Sequence, residues 1–495
     1  MRCKYFSAGK CRSCDLMGMP YNAQLQGKLR HTRQVLSPFG KGQQITWLEP
    51  FSSPQTAFRN KAKMIVSGSK KDIRLGLAPT SKHPRGVDLE DCPLYPESIR
   101  AAFAPLRDYL TRLGVRPYQI EADKGEVKNV QITSNPEGEL MIRLVLRSKA
   151  ALNRVKNTWA ELREVLPHLE VFSVNIQPEH AALLAGQEEI LLSDERFLKM
   201  PGVGAELRLA PNAFFQTNTA AALTMYQQAA TWTRTIQPQT AWDLYCGVGG
   251  FAFAVGSATE AKVTGVEMAG AAIEGAKASA SATSGEATSA KDVPENGQTL
   301  VESTPHFITA DATKWIKNQK HLETPDLVVV NPPRRGLGSE LAKWMEKSGI
   351  PHVIYSSCYQ PTLVSDLQRM RSYRLKDARL IDMFPHTRHT ETVALLSRKS
   401  ASKSFIPVSI SPKDMGLSEE KDQPTYANIR DYVQKTHGMK VSSLYVAQMK
   451  VECGLETQAD RSGDKKQPKC PPEKREAILD AFRHFGLIGE DETEK

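Results

Sequence analysis

Cys358 closes the apolar run His352-Val353-Ile354-Tyr355-Ser356-Ser357-Cys358, and Glu391 lies in His386-Thr387-Arg388-His389-Thr390-Glu391-Thr392. A thiol at the end of one strand is a candidate nucleophile, and a carboxylate at the start of another is a candidate general base. A free thiol with a pKa near about 8.5 holds only a few per cent thiolate at neutral pH. A site using Cys358 must therefore lower that value or take the proton during attack. The same two residues also fit a buried structural thiol and a surface acid.

The stretch Trp242-Asp243-Leu244-Tyr245-Cys246-Gly247-Val248-Gly249-Gly250-Phe251 reads as a buried strand, a tight turn and a helix start. Glycines such as Gly247 let a backbone approach a ligand, and the helix start presents unpaired amides. Glu267 follows Gly247 by 20 residues, at the end of Lys262-Val263-Thr264-Gly265-Val266-Glu267, where an acid can bind two ribose hydroxyls. Gly247, Gly249 and Ala252 also satisfy the looser fingerprint of dinucleotide enzymes, so the glycines alone do not separate a nicotinamide cofactor from S-adenosylmethionine.

Two further strand ends fall in the same rhythm: Asp311 closes His306-Phe307-Ile308-Thr309-Ala310-Asp311, and Asn331 closes Asp326-Leu327-Val328-Val329-Val330-Asn331. The continuation Asn331-Pro332-Pro333-Arg334-Arg335-Gly336 weakens the nicotinamide reading, because Asn-Pro-Pro marks nucleic-acid methyltransferases. Adenine amino-methylating enzymes need an aromatic residue next, and many cytosine C5 enzymes a nucleophile; Arg334 is neither. Cys358 then supplies the nucleophile from the next strand end. Uracil C5 is too poor a nucleophile to take a methyl group unaided, so a thiolate must first add to C6, and a base such as Glu391 must afterwards remove the C5 proton.

Cys3, Cys11 and Cys14 are spaced C-x7-C-x2-C, and Cys92 in Asp91-Cys92-Pro93-Leu94-Tyr95 is the natural fourth. Four thiolates suit zinc or an iron-sulfur cluster, and either would tie the N-terminus to a turn some eighty residues later. The balance of 65 Lys and Arg against 55 Asp and Glu gives a net charge of +10, which favours a polyanionic partner. Nothing at the N-terminus resembles a signal peptide and no apolar run would span a bilayer, so the expectation is a cytoplasmic protein with reduced thiols and no membrane contact. Phe58-Arg59-Asn60-Lys61-Ala62-Lys63-Met64-Ile65-Val66 alternates with period two and places Arg59, Lys61 and Lys63 on one strand face. That face fits RNA phosphates or plain solvent, and the adjacent Lys70, Lys71 and Arg74 favour RNA.

These cysteines, together with Phe214-Phe215-Gln216-Thr217-Asn218, Asn331-Pro332-Pro333-Arg334-Arg335-Gly336, Ser356-Ser357-Cys358 and His386-Thr387-Arg388-His389-Thr390-Glu391, resemble the RNA uracil-C5 methyltransferase family over roughly four-fifths of the chain. The resemblance implies that Cys358 is the nucleophile and Glu391 the base. Gln216, Tyr245, Gly247, Glu267, Asp311 and Asn331 would line the pocket for S-adenosylmethionine and the base, and Cys3, Cys11, Cys14 and Cys92 would hold a [4Fe-4S] cluster. The cysteines at the very start, with no β-barrel domain ahead of them, point to the branch that methylates a loop uridine of 23S rRNA, uridine 747 being the expected site. A tRNA or another rRNA uridine is the alternative substrate, and an inactive RNA-binding or assembly factor the alternative class. Tyr245 departs from a common Phe, and Asn331 stands where other branches usually carry Asp.

The implied fold class is α/β, a Rossmann-like class I methyltransferase domain over residues 206–399, with the alternation of strands and helices predicting a mostly parallel doubly wound sheet. Ahead of it come an iron-sulfur and RNA-contact region at 1–95 and a central α+β domain at 96–205. Residues 280–305, rich in Ala, Ser, Thr, Gly and Glu, read as a flexible surface insertion. A Ser/Pro-rich linker at 400–424 leads to a helical extension at 425–495, with amphipathic stretches at 426–433 and 473–482; Cys453 and Cys470 fit a metal half-site or lone core thiols, and the second is the expectation. A monomer with no obligate protein partner is expected.

Overall fold

The computed structural model describes residues 1–180, 184–286, 304–318, 324–398, 425–453, 455 and 470–488. They fall into two units, Met1–Ser402 and Lys403–Lys495.

Runs such as Leu327–Val330 are buried on both faces, as parallel strands sandwiched between helices must be. β11 (Thr240–Leu244), β12 (Lys262–Glu267), β13 (His306–Thr309), β14 (Leu327–Val330) and β15 (His352–Ser357) form the parallel part of an eight-stranded sheet, in the order β13-β12-β11-β14-β15. The chain thus turns one way after β11 and the other way into β14, which opens a crevice at the carboxyl ends of the strands. The intervening helices are α5 (Thr219–Ile236), ahead of β11, then α6 (Gly250–Gly256), α7 (Gly270–Glu286), α8 (Ala312–Asn318), α9 (Gly338–Ser348) and α10 (Gln360–Arg369). β16 (Tyr373–Ile381) and β17 (Glu391–Arg398) reverse direction, and β17 inserts between β15 and β16 with Ser357 opposite Thr392. The edge beyond β16 is completed by β1 (Thr46–Trp47), so the N-terminal segment contributes to this sheet as well.

A second sheet has seven strands, β4-β3-β2-β5-β6-β7-β8. These are β2 (Lys61–Ser69), β3 (Asp72–Leu77), β4 (Val87–Asp88), β5 (Val127–Ser134), β6 (Leu140–Leu146), β7 (Leu169–Ile176) and β8 (Glu188–Leu191). One face carries Met64, Ile132, Ile142 and Phe172, in one core with Phe103 and Leu106 of α3 (Glu97–Leu113) and Leu162 of α4 (Leu152–Val165). From the other face Met141 and Val171 join the core around the large sheet, beside the hairpin β9 (Leu198–Met200) and β10 (Leu207–Leu209). The strand read from residue 58 starts later, at Lys61. Arg59 forms an isolated bridge to Asn218 and its amide donates to Leu94 O at 2.9 Å, while the Asn60 side chain donates to Gln216 O (2.9 Å) and Thr219 Oγ1 (2.8 Å).

The second unit holds α11 (Tyr426–His437), α12 (Ser443–Glu452) and α13 (Pro472–His484) around Ile429, Val433, Val446, Met449, Ile478 and Phe482. α11 opens on a capping box between Thr425 and Asn428. The sequence marks α11 and α13 and misses α12, which buries only Val446 and Met449 and so shows little amphipathic pattern. Cys453 and Cys470 lie partly buried against this core. The 400–424 linker lies outside the described residues, as does most of the 280–305 insertion, whose first residues continue α7 to Glu286. Among the described residues no helix is long and apolar enough to cross a membrane.

Near the N-terminus follow α1 (Lys4–Ser7) and α2 (Tyr21–Leu36), and α2 is fixed to the large sheet by a buried ion pair. Lys28 Nζ donates to Asp382 Oδ1 at 2.6 Å and to Phe384 O at 3.1 Å, while the Tyr21 hydroxyl donates to Asp382 Oδ2 at 2.8 Å. Removing one partner leaves the other charge buried and uncompensated, so Lys28→Met is expected to lower the stability of this unit by about 3–5 kcal/mol. Denaturant unfolding of the variant checks this; a loss under about 1 kcal/mol would mean that water reaches Asp382.

Candidate active site

The strand ends meet as the topology requires. A cavity of about 480 Å3 is lined by Gln216, Tyr245, Gly247, Glu267, Asp311, Asn331, Cys358 and Glu391, so every pocket residue named from the sequence faces one space. Tyr245 follows β11 directly and Glu267 ends β12; Asn331 follows β14, Cys358 follows β15, and Glu391 opens β17.

The turn after β11 is shaped by close approach. Gly247 sits at φ +55 with nothing within 4 Å of where a Cβ would stand, so its missing side chain leaves the cavity open for a ligand. Gly250 begins α6 against Tyr226, and a Cβ there would come within 2.3 Å of the ring. Tyr245 takes φ +67, a left-handed conformation that costs a non-glycine residue energy and is held by the packed strand end. Glu267 braces the turn: one carboxylate oxygen accepts from Gly247 N at 3.3 Å and the other from Ala269 N at 2.9 Å. Phe214 and Met268, each 66% exposed, border the cavity with flat or pliable apolar surface that a ring can cover.

The two candidate reactive side chains, Cys358 and Glu391, differ in environment. Glu391 is buried and accepts from Ser356 Oγ at 2.7 Å. Burial pushes its carboxyl up to about 7, with the Ser356 hydroxyl pulling the other way, so it is poised to exchange a proton near neutrality. Cys358 is half-buried, and both burial and the neighbouring Glu391 push its thiol up, while the Arg334 guanidinium beside it draws it down. The net direction is upward. Of the two routes open to a nucleophilic Cys358, the unliganded site therefore favours loss of the proton during attack.

Sequence reasoning did not single out Ser356 or Asp243, and noted Arg334 only for what it excludes. Asp243, the acid in the middle of the first motif, is buried beneath the turn; burial raises it to about 8 against the opposing pull of the Ala252 N–H, and neither oxygen completes a hydrogen bond of ordinary geometry among the described residues. The only signal available was an acid inside an otherwise apolar run.

Cys3, Cys11, Cys14 and Cys92 line a second cavity, of about 250 Å3, with Tyr5, Met17, Phe58 and Arg59. All four are free thiols, and burial raises Cys14 to about 12 and Cys92 to about 11. Among the described residues no three His, Cys, Asp or Glu side chains are gathered closely enough to hold one metal ion.

The family model described as tRNA (Uracil-5-)-methyltransferase matches residues 20–399. The chain is 40% identical over 403 residues to the 23S rRNA (uracil(747)-C(5))-methyltransferase RlmC of Edwardsiella ictaluri, a match that covers 81% of this chain and 100% of that protein. It is likewise 40% identical over 403 residues to the protein of the same name from Halothiobacillus neapolitanus, covering 80% and 100%. Among solved structures, the Pyrococcus abyssi tRNA (uracil-54, C5)-methyltransferase in complex with S-adenosyl-L-homocysteine superposes with a TM-score of 0.60 at 21% identity, covering 77% of this chain and 85% of that one. At that identity the likeness is one of fold.

The opposed influences on Cys358 can be separated by alkylation. Iodoacetamide at pH 7.5 should label Cys358 more slowly than a free cysteine. Arg334→Gln should slow it further by removing the cation that favours thiolate, and Glu391→Gln should speed it by removing the anion that opposes it. Peptide mass spectrometry over time reads all three rates; equal rates in the two variants would mean that neither side chain acts on the thiol.

Proposed function

This chain belongs to the tRNA (uracil-5-)-methyltransferase family, and from that premise we propose that it methylates C5 of a loop uridine in 23S rRNA with S-adenosylmethionine, at the uridine 747 named in its relatives. The observation that carries the reading is that Cys358 and a buried Glu391 near neutrality share one cavity with the glycine turn.

Cys358 releases its proton to solvent as its sulfur adds to uracil C6, the electron pair of the C5–C6 double bond passing into an enolate that makes C5 nucleophilic; the Arg334 guanidinium beside it stabilises the thiolate as it forms. S-adenosylmethionine supplies the methyl group as an electrophile. Glu391 then removes the C5 proton, the C5–C6 double bond re-forms, and Cys358 leaves. Its pKa of about 7 suits that transfer better than the value of an exposed carboxylate would. Glu267 is placed at the end of β12 for the ribose hydroxyls, and the open Gly247 turn for the amino-acid end of the cofactor. Asp311, Tyr245, Gln216 and Asn331 complete the wall. A base must leave its stack to reach this depth, which fits a single-stranded loop. An inactive factor would have no use for a nucleophile and a tuned base in one pocket.

The test is a denaturing gel with 5-fluorouridine in a transcript of the 23S rRNA loop and, in parallel, in tRNA. The fluorinated ring accepts thiolate and methyl and then cannot lose fluorine as a cation, so enzyme and RNA should remain joined through Cys358. Glu391→Gln should stall in the same way on ordinary uridine, and Cys358→Ala should be inactive while still binding S-adenosylmethionine. Turnover by Cys358→Ala overturns the mechanism; an adduct with tRNA alone moves the substrate.

The four N-terminal thiols we assign to a [4Fe-4S] cluster held by Cys3, Cys11, Cys14 and Cys92, a structural staple between the N-terminus and the turn at Cys92. What supports the assignment is that the four thiols line one cavity of about 250 Å3. Protein purified without oxygen should carry iron and sulfide and a visible absorbance, and Cys11→Ser should lose both along with thermal stability. Colourless protein with one zinc per chain would overturn this.

A further inference from the structure

We propose that the Tyr226 hydroxyl binds the carboxylate of S-adenosylmethionine, which makes Tyr226 a cofactor-binding residue although it belongs to none of the motifs. The inference rests on the cofactor's amino-acid end docking at the glycine turn, and it adds the side chain that receives that end.

Tyr226 lies within α5, is 6% exposed and belongs to the core around the large sheet. Two contacts fix its ring. The Phe251 ring meets it edge-on, with centroids 5.0 Å apart and planes at 83°. Gly250 lies against the phenol end: a Cβ there would stand 2.3 Å from ring carbon Cζ and 2.5 Å from the hydroxyl oxygen, so only glycine admits this approach. The hydroxyl is therefore held beside the first residue of α6, where the turn after β11 ends.

A buried hydroxyl ordinarily has a hydrogen-bond partner. This one has none among the described residues, yet its oxygen is not enclosed as those of Asp243 are: Tyr226 lines the reaction cavity, and the hydroxyl opens into it. The partner it lacks is then a guest in that cavity, or the water that a guest displaces.

Position and chemistry choose the group. The ribose end goes to Glu267 on β12 and the uracil to Cys358 after β15, which leaves the space between them, beside Gly250, to the amino-acid end. That end carries a carboxylate and an ammonium. Burial keeps the phenol protonated, and the acids Asp243 and Glu391 push the same way, so a donor faces the guest. A hydroxyl donating to a carboxylate makes a short, charge-assisted bond. The cations that line the cavity, Arg334 and Arg335, both belong to the loop after β14, and the turn from Tyr245 to Phe251 brings none, so a carboxylate seated there is received by neutral donors. Asp243 beneath it, raised to about 8 by burial, is uncharged at pH 7 and does not repel it.

Calorimetry on the full chain, without RNA, compares S-adenosylhomocysteine with its decarboxylated analogue, which keeps the ammonium, the sulfur and the nucleoside. Wild-type protein should bind S-adenosylhomocysteine more tightly than the analogue. Tyr226→Phe should bind S-adenosylhomocysteine about ten- to hundredfold more weakly, the worth of a hydrogen bond to a charged group, and should bind the analogue as the wild type does. With whichever transcript the wild type methylates, KM for S-adenosylmethionine should rise by a similar factor while kcat changes less, because the carboxylate is remote from the transferred methyl. An undiminished affinity for S-adenosylhomocysteine, or an equal loss for both ligands, overturns the proposal. Should Tyr226→Phe also destabilise the ligand-free chain, the ratio of its two affinities still decides, and a ratio equal to that of the wild type overturns it. Wild-type protein that binds the two ligands equally overturns the docking of the amino-acid end itself, and the proposal with it.

Discussion

The reaction pocket depends on β17 entering the sheet backwards. Parallel strands deliver their carboxyl ends to one edge, and a residue that opens a strand can reach that edge only if its strand runs the other way. Glu391 opens β17, and the pairing of Ser357 with Thr392 places Cys358 and Glu391 opposite each other one step beyond. Ser356, on the same face as Cys358, reaches across to the Glu391 carboxylate. A slip of one residue would turn Glu391 to the other side of the sheet and take Ser356 from it. The long pairing of β16 with β17 fixes that register, and its irregularity between Leu375 and Asp377 lies far from the reactive end.

Burial does the rest of the tuning. In water Glu391 would be ionised and Cys358 largely a thiol, a pair ill matched for exchanging protons at neutral pH. Enclosure raises the acid to about 7 and raises the thiol as well, and Arg334 alone among the nearby side chains pulls the thiol back. In the proposed mechanism that charge would act at the moment the thiolate forms.

Much of this was legible because each motif sits at a strand end, where a short apolar run breaks into polar residues. Cys358, Asn331, Asp311 and Glu267 could be placed from that break alone. Ser356 was hidden because it lies inside the run, and its partner is 35 positions away in a strand of opposite direction. Asn218 shows the reverse case. Within Phe214-Phe215-Gln216-Thr217-Asn218 it reads like a site residue, yet it is a scaffold: its side chain caps α5 at Ala221 N and donates to Ser53 Oγ and Met383 O. β1 was missed because two residues carry no periodicity, and α12 because it buries too little.

The cysteine cavity and the reaction pocket meet at the chain leading into β17. Phe384 lines both, and Pro385 and Thr387 line the first. His386 takes φ +65, a strained conformation held from the N-terminal segment: its amide donates to Gln24 Oε1 at 3.0 Å, its carbonyl accepts from Leu16 N at 2.9 Å, and its ring is 3.0 Å from Gln55 O. Arg388 adds an ion pair to Asp15 at 3.0 Å, which is exposed and contributes direction more than energy. Every one of these partners lies within the first 55 residues, and Asp15 and Leu16 immediately follow Cys14. The cysteine-bearing segment is therefore part of the wall beside Glu391, because the amide and carbonyl of His386 in the loop leading into β17 are both bound from the chain just after Cys14.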